Sequence, residues 1–158
     1  MLSHIPEDRM SLGVAGEMSI TNNLITNIID FDRTSKNGLL KNKDIGELAD
    51  KLIVDFTIKA TSRDSLVSSL SGGNIQKVVV AREMFELPSI IIANQPTRGV
   101  DVGAAQFIRE KLVHLRDEKS GILLVSADLN EVFELCDSLL VMYKGDFVAY
   151  FVNIADLD

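Results

Sequence analysis

The sequence contains few of the residues that build disulfide scaffolds or membrane spans. It has one cysteine, three prolines and no tryptophan among its 158 residues. The single Cys136 cannot form an internal disulfide, and its neighbours offer no metal-ligand spacing, so we expect a reduced, cytosolic setting with a buried thiol. The apolar runs of the sequence, such as those at residues 90–93, 122–125 and 139–143, are short. None approaches the ~20 residues that span a bilayer, so these runs do not form a transmembrane segment.

Positive charge is also scarce. Sixteen lysines and arginines stand against 23 acidic residues, which gives a formal net charge of -7. Because proteins that bind a phosphate backbone normally cluster positive charge, this balance disfavours nucleic acid as a partner. The hydrophobic fraction of 46% and the charged fraction of 25% indicate an ordinary globular protein with a packed core.

Two helices and a connector are predicted between residues 21 and 59. From residue 43 to residue 59 apolar side chains recur at steps of three and four, which is the period of an amphipathic helix. Asp44 and Glu47 have the spacing of a capping box at the start of this helix. The polar segment 30–42, which contains Asn37 and Gly38, predicts a loop before it.

Short apolar runs alternate with helical segments in the second half, which predicts an α/β fold. Residues 89–93, 121–126 and 138–143 are apolar without alternation. We expect such runs to form strands that are buried on both faces of a largely parallel sheet.

Helices and a final turn are predicted around these strands. Asp128 with Glu131 has the spacing of a capping box for the second intervening helix. Residues 144–146 predict a tight turn into a last strand at 147–151. The inward stripe of the first intervening helix consists of Phe107, Ile108, Leu112 and Leu115.

The most informative segment is residues 70–77 (LSGGNIQK), which leads directly into a helical run. Ser71 is suited to cap the helix, and the two glycines after it leave the backbone N–H groups open to close approach. Unsatisfied N–H groups and the positive end of the helix dipole make such a start an anion site. The alternative is an ordinary Ser-Gly-Gly loop before a helix.

Together with the segments after it, this motif resembles the signature motif of ATP-binding cassette (ABC) ATPases. Residues 89–101 (SIIIANQPTRGVD) resemble the Walker B strand, the catalytic carboxylate position and the D-loop, in that order. Residues 124–128 (LVSAD) stand where the family has its H-loop, and Glu7 falls at the Q-loop position. The resemblance covers nearly the whole chain, and it implies a partial P-loop NTPase fold of class α/β with a small helical subdomain.

The same resemblance implies a division of the chain and a type of transporter. Residues 1–20 would form the Q-loop region, 21–69 the helical subdomain and 70–158 the signature, Walker B, D-loop and H-loop part of the α/β core. Residues 5–9 (IPEDR) and 96–104 (PTRGVDVGA) look like the second ATPase half of fused, two-cassette proteins that power bacterial simple-sugar importers. Asn94-Gln95 and residues 106–109 are more similar to the nucleoside-importing branch.

Such a protein implies a set of partners. They are the first ATPase half of the same polypeptide, an integral-membrane permease and, indirectly, an extracellular solute-binding protein, at the cytoplasmic face of the bacterial cell membrane. The cofactors implied are ATP and Mg²⁺ in the full-length assembly.

Three positions depart from the family pattern. The Walker B aspartate that would hold Mg²⁺ is Asn94, and the carboxylate that would polarise water is Gln95; neither side chain accepts a proton at neutral pH. The H-loop imidazole is replaced by Ala127, whose methyl group cannot donate a hydrogen bond. Because losing a general base typically costs ~10²–10⁴-fold in rate, we expect a degenerate site with weak or absent hydrolysis.

The resemblance assigns the retained motif a role in trans. The signature residues would close over the γ-phosphate of ATP held by the other cassette, and Asp101 in the D-loop would touch that half. Glu7 would approach Mg²⁺ or the attacking water, its alternative being a solvated surface carboxylate. Arg9 and Arg98 are either interface contacts or surface charges. The signature residues assigned to ATP are Ser71, Gly72, Gly73, Asn74 and Gln76.

No Gly-x-x-x-x-Gly-Lys-Ser/Thr motif occurs, so the phosphate-cradling loop is missing from this sequence. We therefore expect a fragment of a longer protein that is inactive alone, and an open sheet edge that favours a non-physiological homodimer. Two alternatives are a soluble ABC-type ATPase acting on DNA or ribosomes and a non-catalytic interaction module. The first is opposed by the spacing of about sixty residues between Glu7 and Leu70, which carries no sustained heptads.

Overall fold

The computed structural model describes residues 1–29, 32, 34–36 and 38–154. A π-helical turn at Arg9–Gly13 and two 3₁₀ turns, at Thr26–Ile28 and Val67–Ser69, supplement the regular elements. In chain order these elements are β1 (Leu2–Ile5), α1 (Ile20–Ile25), β2 (Ser35–Lys36), β3 (Leu39–Leu40), α2 (Asn42–Asp55), α3 (Gly72–Met84), β4 (Ile90–Asn94), α4 (Val102–Asp117), β5 (Gly121–Val125), α5 (Leu129–Leu135), β6 (Leu139–Tyr143) and β7 (Asp146–Phe151).

A three-stranded parallel sheet in the order β1-β4-β5 forms the centre of the fold. Its register aligns Ile5 with Ala93 and Asn94 with Val125. Because all three strands run in the same direction, their carboxyl ends meet at one edge of the sheet. The residues that follow the strands at this edge are Glu7, Gln95 and Ala127.

The strand β1 was not predicted, although β4, β5 and β7 lie where the apolar runs and the turn placed them. Its four residues alternate between exposed and buried, and Ser3 and His4 interrupt the apolar pattern. A four-residue segment of this kind gives no continuous apolar run. Its position is decided by pairing with β4.

The predicted parallel, two-sided burial of the run at 138–143 is wrong. The strand β6 pairs antiparallel with β7, and Leu140 and Met142 are exposed. The turn between these two strands has Lys144 and Gly145 at positive φ, as a tight hairpin requires. In β5 as well, Leu123 and Val125 are exposed, so that strand is not buried on both faces.

The helix α2 is shorter than predicted and lacks its predicted capping box, and of the second predicted box only the Asp128 cap forms. It begins after Lys41 with no side-chain cap, so Asp44 lies in its first turn instead of at its N-cap. It ends at Asp55 because Thr57 adopts a left-handed backbone with φ 51°. Asp128 does cap α5, but the buried Glu131 contacts a different element.

The segment between α1 and α3 is closed at its base and packs against the core. Backbone N–H groups of Ile20 and Thr21 donate to the carbonyls of Ser65 and Arg63 at 3.0 Å. The helix α1 packs against α2 and α3. Between α1 and α2 in the chain, the two-residue strands β2 and β3 pair antiparallel as a short hairpin. Asn37, which belongs to the predicted loop, lies outside the described residues.

The hydrophobic core lies between the sheet and the helices. Of the predicted stripe of α4, Ile108, Leu112 and Leu115 are buried, and Phe107 is partly buried against the core. Cys136 is only half-buried, which corrects the expectation of a buried thiol, and burial raises the pKa of this thiol. The fully buried members of the core are Ile5, Ile20, Ala49, Val67, Val78, Val79, Val80, Ala81, Ile91, Ala93 and Ile108.

Candidate functional site

The first turn of α3 has no side-chain cap. Ser71 has the extended N-cap conformation that the sequence predicts, but its side chain accepts no bond from the helix backbone. Its Oγ instead accepts a hydrogen bond from Asn74 Nδ2 at 2.9 Å. Asn74 Oδ1 in turn accepts the backbone N–H of Lys59 at 2.8 Å. The side chains at this helix start therefore bind each other and leave the first-turn backbone without a side-chain cap.

Gly73 and Asp101 lie in direct contact. A Cβ atom on Gly73 would stand 2.7 Å from Asp101 Oδ2 and 3.1 Å from Ala104 Cβ, so only glycine fits without a shift. Asp101 caps α4, with its Oδ1 accepting the Ala104 N–H at 3.0 Å. The predicted signature and D-loop residues thus belong to one arrangement in which the starts of α3 and α4 meet.

Gln76 faces inward, not toward solvent. Its side chain is 2% exposed, and its Nε2 donates to the carbonyl of Pro96 at 2.8 Å. The prediction that Gln76 contacts nucleotide is at odds with this burial. The amide instead joins α3 to the chain that follows β4.

The predicted catalytic position lies at the carboxyl end of β4. Gln95 has a left-handed backbone with φ 50°, and its N–H donates to the carbonyl of Val125 at 2.7 Å. Its side-chain Oε1 accepts the backbone N–H of Ala127 at 3.3 Å. The structure therefore brings together Gln95 and Ala127, two of the three departures from the family pattern. The third, Asn94, is the last residue of β4.

Glu7 lies at the same edge, but its carboxylate is occupied. It forms an ion pair with the guanidinium of Arg98, and both side chains are largely exposed. Among the described residues no group of three His, Cys, Asp or Glu side chains is arranged to hold a metal ion. Because Asn94 is neutral and Glu7 is bound to Arg98, these residues do not suit Mg²⁺, which is held through carboxylates.

The sequence left Arg9 open between an interface contact and a surface charge, and the structure shows it in contact with other parts of the chain. Its Nη1 donates to the carbonyl of Arg98 at 2.8 Å, and its Nη2 donates to the carbonyl of Gly99 at 3.0 Å. The same Nη2 atom would stand 2.9 Å from a Cβ on Gly72. Arg9 thus joins the turn after β1 to the chain before α4 and to the start of α3.

Asp8 fixes the turn that carries Arg9. Its Oδ1 accepts the N–H groups of Met10 and Ser11 at 3.0 Å, and its Oδ2 accepts the Ser11 hydroxyl at 2.8 Å. Hydrogen bonds from Ser11, first from its backbone and then from its side chain, lower the pKa of Asp8 below its ordinary value of 3.8.

A buried carboxylate at the start of α5 was missed by the sequence analysis. Glu131 Oε1 accepts the hydroxyl of Thr97 at 2.8 Å and lies 3.6 Å from Arg109 Nε. Arg109 also pairs with Asp128 and Glu134, at 3.1 and 3.0 Å. The signal was a glutamate three residues after Asp128, which the capping-box spacing explained without a tertiary partner.

No helix in the described part of the chain is long and apolar enough to cross a membrane.

Comparison with known sequences finds relatives across most of the chain, although no family model matches it. It is 41% identical over 152 residues to a glucose import ATP-binding protein of Haloferax volcanii, an alignment that covers 93% of this chain and 27% of that protein. It is 36% identical to a nucleoside import ATP-binding protein of Lactococcus lactis, covering 91% and 28%. A ribose import ATP-binding protein of Rhizobium johnstonii is 41% identical over the same shares. The chain spans between a quarter and a third of the length of these relatives.

Comparison with solved structures identifies the fold. A dimeric ATP-binding cassette in a post-hydrolysis state with ADP and phosphate superposes with a TM-score of 0.78 at 17% identity, covering 96% of this chain and 63% of that one. The ATP-binding subunit of an ABC transporter gives a TM-score of 0.72 at 22% identity, with 94% and 57% covered.

Proposed function

We propose that this chain is part of the energy-coupling component of a bacterial sugar or nucleoside importer. It is homologous over most of its length to sugar and nucleoside import ATP-binding proteins, and it has the fold of the ABC ATPase cassette. In this role the first residues of its signature segment, 71–74, complete the ATP site of an opposing cassette. The site built on its own strand β4 does not hydrolyse ATP.

The contact between Gly73 and Asp101 is the observation that carries this proposal. It holds the start of α3 against the start of α4, so the uncapped first turn of α3 and the Asp101 side chain are presented together. An uncapped helix start offers N–H donors and a positive dipole to a phosphate group. With Ser71, Gly72 and Asn74 beside it, this turn is suited to the terminal phosphate of ATP bound by a facing subunit.

The degenerate chemistry at β4 supports the second half of the proposal. Gln95 donates or accepts hydrogen bonds but takes up no proton at neutral pH, and its Oε1 is already bound to Ala127. Asn94 supplies no negative charge for Mg²⁺. We therefore assign the Mg²⁺ that accompanies ATP to the opposing cassette, where it would neutralise charge on the phosphates.

The remaining parts of the chain would connect this site to transport. We propose that residues 1–20 form the Q-loop region, that 21–69 form a helical subdomain facing an integral-membrane permease, and that 70–158 complete the α/β core. We place this assembly at the cytoplasmic face of the membrane, with the other ATPase half as partner and an extracellular solute-binding protein indirectly. The names of the relatives support a role in import.

The experiment is to measure ATP turnover in the assembled two-cassette protein. Gly72→Asp places a carboxylate in the first turn of α3, where it would displace or bind the Arg9 guanidinium and repel a phosphate, so turnover should fall to background. Gln95→Ala removes a group that performs no proton transfer, so turnover should stay within twofold of the parent. Equal losses in the two variants would refute the proposed asymmetry.

A further inference from the structure

Four consecutive residues after β4 are each held by another part of the chain. We call residues 96–99 the anchored loop. The carbonyl of Pro96 accepts Gln76 Nε2 from α3 at 2.8 Å, and the hydroxyl of Thr97 donates to Glu131 Oε1 in α5 at 2.8 Å. The carbonyls of Arg98 and Gly99 both accept hydrogen bonds from the guanidinium of Arg9. The anchored loop thus joins α3, α5 and the turn after β1.

Arg9 makes the link to the turn after β1. Gly99 has a left-handed backbone with φ 65°, and its carbonyl and that of Arg98 both face the guanidinium. The planar guanidinium presents its donors in a rigid fork, which suits two neighbouring oxygens better than a lysine ammonium does. Hydrogen bonds from a charged donor are also stronger than neutral ones.

The backbone of Arg9 is itself fixed. Asp8 caps the π-helical turn Arg9–Gly13. On its far side the Arg9 guanidinium fits over Gly72, where a methyl group would stand 2.9 Å from Nη2. The side chain of Arg9 therefore extends from the turn after β1 to the anchored loop and to the first residue of α3.

We propose that Arg9 is a positioning residue that locks the turn after β1, the anchored loop and the start of α3 into one arrangement. This inference rests on the proposed function for its consequence: the arrangement sets the spacing of Gly72 and Asp101 before an opposing nucleotide arrives. The exposed ion pair between Glu7 and Arg98 joins the same two segments, but exposed pairs of this kind contribute little. Arg9 makes two hydrogen bonds to the anchored loop and also reaches the start of α3.

The direct test is amide hydrogen exchange in the 158-residue chain, which requires no nucleotide. The N–H of Arg98, bonded to the Gln95 carbonyl, reports on the anchored loop, and the N–H of Ile75 reports on the first turn of α3. In Arg9→Ala both amides should exchange about tenfold faster while the amides of β4 keep their rates, because the lost bonds are local. Arg9→Lys should give an intermediate rate at Arg98.

A matched control and a second perturbation make the result decisive. Arg116→Ala removes an exposed arginine whose side chain, within the described part of the chain, bonds to its neighbour Asp117, and it should leave both reporter amides unchanged. Gly72→Ala adds a methyl group against the Arg9 guanidinium and should accelerate exchange at Arg98 from the other side. Unchanged exchange at Arg98 in both Arg9→Ala and Gly72→Ala would overturn the proposal, as would an equal acceleration in β4.

The consequence for catalysis is tested separately in the assembled protein. Arg9→Ala should lower kcat for ATP about tenfold and change KM by less than twofold, with Arg9→Lys between it and the parent, because a displaced signature turn affects the transition state more than ground-state binding. Faster exchange without a change in kcat would show that the positioning by Arg9 does not affect turnover, and would overturn this consequence. Full turnover in Gly72→Asp would instead refute the proposed function and leave the exchange result standing.

Discussion

The side chain of Gln95 is bonded to the backbone of Ala127: Gln95 Oε1 accepts the Ala127 N–H at 3.3 Å. The two positions at which the family pattern predicts acid–base and phosphate-binding groups therefore hold each other through a neutral amide. A glutamate at position 95 would meet the same N–H donor, since a carboxylate oxygen also accepts hydrogen bonds. The surrounding backbone thus remains suited to a carboxylate.

We predict that hydrolysis at this site returns only when all three substituted positions are restored together. The background is the assembled protein carrying Gly72→Asp, which silences the opposing site. In that background Gln95→Glu alone should stay at the limit of detection, because Mg²⁺ and the γ-phosphate still lack their ligands. Adding Asn94→Asp and Ala127→His should raise turnover at least tenfold, a small part of what a positioned base typically supplies, ~10²–10⁴-fold.

Steady-state phosphate release measures this prediction. The matched control is the triple restoration combined with Asp101→Ala, which alters the D-loop without touching the restored groups. Substantial turnover in the single Gln95→Glu variant would show that Asn94 and Ala127 are not deficient. No gain in the triple variant would show that the site lacks more than these three groups.

Gly73 should resist substitution by alanine. A methyl group there would stand 2.7 Å from Asp101 Oδ2, and relief of such a clash typically costs ~1–3 kcal/mol. Gly103 occupies the equivalent second position of α4, where a Cβ would lie 3.4 Å from Asp101 Oδ1. Gly103→Ala should therefore stabilise the chain by about 0.5–1 kcal/mol, the ordinary gain for Gly→Ala in a helix.

Urea denaturation of the two alanine variants compares them under identical conditions. The free energy of unfolding should fall for Gly73→Ala and rise for Gly103→Ala. A loss of equal size in both variants would indicate a general cost at helix starts and not a contact specific to Asp101.

The order of the site segments could be predicted from the sequence because each segment has a local signature. A double glycine after Ser71 predicts the helix start, and the apolar run before Asn94 predicts the strand that ends at the site. The parallel connection then brings the ends of β4 and β5 together. These features depend on residues that are neighbours in sequence.

The tertiary partners of the site could not be predicted in the same way. Arg9 lies about ninety residues from the carbonyls that it binds, and backbone carbonyls carry no sequence signal. Glu131 was assigned to a local cap because its spacing from Asp128 satisfied that rule, whereas this buried carboxylate is bonded to Thr97. The exposed face of β6 was missed for a related reason: an apolar run indicates a strand but does not identify its pairing partner.

The 158-residue chain should show no stabilisation by nucleotide when it is studied alone. A ligand raises the melting temperature only if the native state has a site for it, and this sequence has no phosphate-cradling motif. Scanning calorimetry with millimolar Mg-ATP should give a Tm within the error of the nucleotide-free sample. ADP with phosphate serves as the control for ionic strength, and a rise of several degrees with Mg-ATP alone would contradict this prediction.

Asp8 should make the turn that carries Arg9 sensitive to acid. Its pKa is lowered in the folded chain, chiefly by hydrogen bonds from Ser11, so the folded state favours the ionised carboxylate. Its stabilising contribution is therefore fully present above the ordinary value of 3.8 and is lost as the pH falls through the lower, folded-state value. Carbon-detected NMR titration of the Asp8 carboxyl should give a midpoint below 3.8.

The free energy of unfolding of the parent and of Asp8→Ala, measured from pH 7 down to pH 2.5, gives the second readout. The difference between them should be constant at neutral pH and shrink at the acid end. Asp64→Ala is the matched control, because Asp64 is an exposed aspartate that caps no helix. A difference that stays constant down to pH 2.5 would mean that the charge on Asp8 does not support the turn, and Arg9 would then be held by packing against Gly72 and the anchored loop instead.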